Sequence, residues 1–115
     1  MGKFLQIRVI AQTYDTAAAE ERFAKLYALA WPVAATPPAG PLGLLELTAA
    51  LDDAVRLGDL PPGDRAALLP GVEKAMAVRA ALEAALGERD PKTADKLSYD
   101  LEDALAELEK LAPKA

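Results

Sequence analysis

DPKTADKLSYDLEDALAELEKLAP, residues 90–113, is the stretch whose reading decides the fold. Asp90 has the short carboxylate of a helix N-cap. Pro91 suits the first helical position, where its fixed φ fits and its missing N–H removes no bond. Behind them, Ala94, Leu97, Leu101, Ala104, Leu108 and Leu111 recur on a seven-residue repeat, and Leu105 widens the stripe on one side. Pro113 closes the segment, because proline disfavours helix in the residue before it. The seam runs for about three heptads, long enough to pack on neighbours and too short to dictate a free-standing coiled coil. Ala94 and Ala104 favour close approach, so the seam belongs inside a bundle.

Working back along the chain, the same period recurs. Pro70 reads as the first residue of a helix to about Leu86, with Gly87 as its stop and Asp64 capping a short helical piece before it. A helix over about 42–57 presents Leu44, Leu47, Leu51 and Ala54, with Leu45, Thr48 and Val55 beside them and Gly58 as its end. Asp15 or Thr16 caps an earlier helix through Ala19, Phe23, Leu26 and Ala30 to Trp31-Pro32. Between them, residues 32–43 hold Pro37-Pro38 and Gly40-Pro41 and read as an extended connection.

The expected fold is therefore all-α: a small bundle of about four helices forming one domain over residues 1–115. Residues 4–14 are the exception. Leu5, Ile7, Val9 and Ala11 alternate with polar residues at the period of a half-buried strand. No second convincing strand is present in the sequence, so this segment is either a helical lead-in or a strand that pairs across a homodimer.

Composition narrows the chemistry. The hydrophobic share of 52% supports a packed core, but aromatics are only 5% and alanine dominates, the composition of closely packed helices. Alanine-rich, isoleucine-poor usage points to a GC-rich bacterial source. The chain has no cysteine, which removes disulfides, thiolate nucleophiles and cysteine metal sites. It has no histidine, which removes the commonest general base and transition-metal ligand. With a net charge of −5, no block of the chain supplies the basic face that nucleic acid requires. Only a local basic patch involving Lys3, Arg8, Arg22 and Lys25 would favour nucleic-acid binding. No stretch reaches the roughly 18 apolar residues of a membrane span, and no signal peptide is evident, so a cytoplasmic location is expected.

Five residues stand out as candidates for contact with a partner. Asp100, Asp103 and Glu107 lie three and four apart, which puts three carboxylates on one helix face, where a cation or a basic partner could meet them. The plainer alternative is a solvated face balanced by Lys96 and Lys110. Arg79 falls where the stripe Leu68, Val72, Ala75, Leu82, Leu86 wants an apolar residue. Its guanidinium could grip an anion, or its stem could cover the core edge while its head meets Glu83. Trp31, the only tryptophan, is either an interface anchor or a plug closing the end of the bundle.

A further acidic group, Glu46 with Asp52 and Asp53, lacks the histidine that helical di-metal sites pair with glutamate. No phosphate-cradling glycine loop follows a strand, and the single serine, Ser98, lies within a helix instead of a nucleophile elbow. The expectation is a non-enzymatic protein with no cofactor, which self-associates or binds a protein partner and contacts neither nucleic acid nor membrane. The alternative is a carboxylate-based divalent-metal or small-molecule binder.

Overall fold

The computed structural model of the chain describes residues 11, 13–31 and 42–113. These form five helices: α1 (Thr16–Arg22), α2 (Ala24–Ala30), α3 (Leu44–Leu57), α4 (Pro62–Gly87) and α5 (Pro91–Leu111). The fold is a small all-α bundle. Most of segment 4–14 and the connection at 32–41 lie outside the described residues. No helix among those described is long and apolar enough to cross a membrane.

The bundle is organised on α4 and α5, which three residues join into a helical hairpin. Gly71 near the start of α4 meets Leu108 near the end of α5, so the two run antiparallel. A methyl group on Gly71 would stand 2.6 Å from Leu108 Cδ2, and the absent side chain is what lets the helices come this close. Ala75, Ala94 and Ala104 are also buried, and Leu68, Val72, Leu101, Leu105 and Leu108 fill the space between them. Each of these leucines contributes roughly 1.5–3 kcal/mol by leaving water. Helix α3 packs on α4, and α2 lies across α3 and α5.

Helix α5 starts as expected. Asp90 accepts from the Thr93 amide at 3.2 Å and from the Thr93 hydroxyl at 2.6 Å. These bonds hold its carboxyl below the ordinary aspartate range, the hydroxyl contributing more than the amide. The seam departs from the heptad at its far end, where Leu111 is 55% exposed and Ala112 is buried instead. A straight helix drifts by about 20° per heptad, so the last position rotates off the contact.

Two other boundaries correct the sequence reading, and a third is refined. Pro70 does not begin a helix; α4 is one helix of 26 residues with Pro70 inside it. Pro70 lies on the exposed side, so water can reach the carbonyl its ring leaves without a donor, while Leu68 and Val72 on either side are buried. Asp64 accordingly sits in the first turn, behind Pro61 at the cap. Helix α4 does end at Gly87, as expected, but the glycine does not supply the left-handed turn that closes it. Arg89 takes the left-handed conformation (φ 56°), and the Asp90 amide reaches back to the Ala85 carbonyl at 2.9 Å in a Schellman closure.

The helix expected over 16–31 is two helices. Asp15 caps the first, accepting from the Ala18 amide at 3.0 Å. Phe23 (φ −115°, ψ 41°) then breaks the run. Helix α3 begins at Leu44 instead of about Leu42 and buries Leu47, Thr48, Leu51 and Val55, a face rotated slightly away from Leu44 and Ala54.

Candidate functional site

Two hollows bordered by described residues flank the Thr13–Tyr14 segment. Thr13 is fixed where it crosses: its Oγ1 accepts the Leu44 amide at 2.6 Å. The bond caps α3, whose own N-cap, Gly43, has no side chain to do so. A Cβ on Gly43 would collide with that hydroxyl, so the missing side chain is also what admits Thr13. Tyr14 follows with its ring fully exposed.

On one side of this crossing lies a groove of about 450 Å³ between α1 and α5. Ala18, Ala19, Arg22 and Phe23 form one wall, and Glu102, Asp103 and Ala106 form the other. On the other side is a hollow of about 260 Å³ lined by Leu44, Leu45, Leu82 and Leu101, with Glu102 and Ser98 at its polar edge. Thr13, Tyr14, Leu44 and Glu102 border both. The floor is apolar, and the rim carries the carboxyls of Asp15, Glu102 and Asp103 against the single guanidinium of Arg22. Arg22 lies over the Phe23 ring at 5.2 Å from its centroid, a cation–π contact that keeps its charge beside the groove.

Helix α2 is held by contacts from a distance. Glu109 of α5 accepts the Leu26 amide through Oε1 at 3.0 Å and the Lys25 amide through Oε2 at 3.3 Å. The Lys25 ammonium in turn donates to the Ala112 carbonyl at 3.2 Å. The Tyr27 hydroxyl donates to the Leu42 carbonyl at 2.7 Å. Burial raises the Tyr27 phenol above the ordinary tyrosine range, and the charges of Glu20 and Glu46 add to the effect.

Of the five residues singled out from sequence, only Asp103 lines the groove. Asp100 lies 3.8 Å from Lys96, and Glu107 lies 3.8 Å from Lys110, one helical turn apart in each case. Arg79 meets Glu83 at 3.2 Å, while its Nε is buried without a partner. Trp31 is half-buried against the core, its ring 5.6 Å from that of Tyr27. No hydrogen bond or ion pair among the described residues joins any two of the five. In the second acidic group, Asp52 is engaged by Arg56 at 2.6 Å. Among the described residues no three carboxylates converge as a cation would require. Of the possible basic patch, Arg22 and Lys25 are described, and Lys25 points to the end of α5.

The residues that build the groove and that sequence reasoning missed are Thr13, Tyr14, Glu102 and Ala106. In the sequence, Thr13 and Tyr14 fall at the end of segment 4–14, whose alternation signals only a possible strand. Glu102 lies on α5 beside the buried seam, at a register that signals contact only once the neighbouring helix is known. Compared with known proteins, the chain matches no family model, no curated protein and no solved structure.

Proposed function

We propose that this chain is a non-enzymatic helical interaction domain that receives a protein segment bearing apolar and basic side chains in the groove between α1 and α5. The observation that carries this reading is the make-up of the groove: an open apolar floor over Ala19, Phe23 and Ala106, three carboxyls against one guanidinium at its edge, and the fully exposed ring of Tyr14 beside it. Aromatic rings at the border of an apolar patch are typical of protein interfaces, and charge complementarity at the rim selects the partner and speeds encounter. A chain with no histidine and no cysteine has few groups suited to proton transfer or nucleophilic attack, which also favours binding over catalysis.

The test is an amide-shift titration of the whole chain with two peptides of equal length, one alternating leucine with lysine and one alternating leucine with glutamate. The lysine peptide is expected to shift the amides of Ala18, Phe23, Glu102 and Ala106, with the change abolished by Glu102→Lys together with Asp103→Lys. Equal response to both peptides, or shifts confined to other surfaces, overturns the reading. Shifts at those four amides that grow with protein concentration alone would assign the groove to a second copy of the chain.

A further inference from the structure

We infer that the break between α1 and α2 is a switch held open by the Glu109 carboxylate, and that its closure into one helix would move the α1 wall of the groove. That this movement regulates binding rests on the docking reading; the switch itself does not.

Nothing in the local sequence calls for a break. Residues 16–30 read TAAAEERFAKLYALA, with neither proline nor glycine, and most are good helix formers. The hydrogen bonds nearly close across the gap as well: the Phe23 amide reaches the Ala19 carbonyl, and the Tyr27 amide reaches the Phe23 carbonyl, both at 2.9 Å. In a continuous helix the Lys25 and Leu26 amides would donate to the Glu21 and Arg22 carbonyls. They donate to Glu109 instead. A side chain from α5 has thus entered the helical ladder, one of the recognised physical causes of a sharp kink. Phe23, the N-cap of α2, makes no side-chain capping bond of its own, so Glu109 is the side chain that satisfies these two donors.

Two discrete arrangements of the same segment follow. In the observed one, Glu109 holds the two amides and Phe23 keeps ψ at 41°. In the other, Phe23 turns to a ψ of about −42°, and the amides bond to Glu21 and Arg22. On the side of α1 the rearrangement is opposed by the burial of Ala19 and Phe23 and by the tie of Thr13 to Leu44, while Glu20, Glu21 and Arg22 are exposed and free to move with it. Helix α1 carries Ala18 and Arg22 of the groove, so a changed angle at Phe23 displaces that wall relative to Glu102 and Ala106 on α5. Contact of a partner's cation with Glu109 would bias the same equilibrium, because drawing the carboxylate away frees the two amides.

The test uses the whole chain with Glu109→Leu, read by ¹³Cα shifts and amide hydrogen exchange. The expected result is a helical ¹³Cα shift at Phe23 and retained protection at Lys25 and Leu26, with the amides of Leu101 and Leu105 unchanged. A Phe23 shift left at its original value, with protection at Lys25 and Leu26 lowered tenfold or more, overturns the switch and leaves Glu109 as a cap alone. If Glu109→Leu does not fold, Glu109→Gln decides by the same spectra, since it keeps one acceptor oxygen. Exchange broadening confined to residues 22–26 supports the switch, and lines as sharp as those of the parent chain overturn it. These readouts report backbone geometry, so failure of the switch is distinguishable from failure of peptide binding.

Discussion

Gly71 and Leu108 set the spacing of the central hairpin: the position a Gly71 Cβ would occupy is 2.6 Å from Leu108 Cδ2 and 3.1 Å from Leu108 Cγ. Leu108 is 1% exposed and has little room to yield. Two effects oppose each other on substitution. Alanine in a helix interior is better than glycine by about 1 kcal/mol, whereas overpacking a filled core costs about 1–3 kcal/mol. Gly71→Ala is therefore expected to destabilise by about 1 kcal/mol net. Gly63, also in α4, meets nothing within 4 Å, so Gly63→Ala should gain about 0.5 kcal/mol. Urea denaturation of the two variants checks the opposite signs.

Thr13 supplies the capping bond that Gly43 cannot. Thr13→Val keeps the shape of the side chain and removes its acceptor, with an expected loss of about 1 kcal/mol. Thr13→Ser should retain most of the bond. Hydrogen exchange at Leu44 locates the effect: faster exchange in the valine variant is expected at that amide before any other in α3.

Arg89 occupies the left-handed position that closes α4, where a Cβ is unfavourable. Arg89→Gly relieves this and should raise stability by about 1 kcal/mol, seen as a higher urea midpoint with an unchanged slope. An Arg89→Val variant, branched at Cβ, should move the midpoint the other way.

The Tyr27 phenol predicts the alkaline behaviour. Its pKa is raised in the folded state, chiefly by burial, so its contribution to stability is fully present below the unfolded value of about 10 and is lost as pH rises through the folded value. Tyr27→Phe should cost about 1 kcal/mol at neutral pH, through the lost bond to the Leu42 carbonyl. It should also flatten the decline in stability above pH 10. Thermal melts at a series of alkaline pH values, with parent and variant side by side, test both statements.

The sequence by itself determined the helical class, the position of α5 and its cap at Asp90, a first cap at Asp15 or Thr16, and most of the buried seam. These follow from local physics: a 3.6-residue period, a short carboxylate before a first turn, and glycine or proline at the boundaries. Tertiary structure alone decided where the apparent boundaries failed. Pro70 stays inside α4 because the buried residues on either side of it outweigh one lost backbone bond, and Phe23 interrupts a run of good helix formers at the place where a carboxylate 83 residues away takes the Leu26 amide. The candidate groove was equally invisible. Asp103 was legible as one of three carboxylates on a helix face, but the surface it belongs to exists only where Thr13, Tyr14 and α1 come up against α5. Long-range contacts of that kind carry no period along the chain, so the sequence holds their parts without showing that they meet.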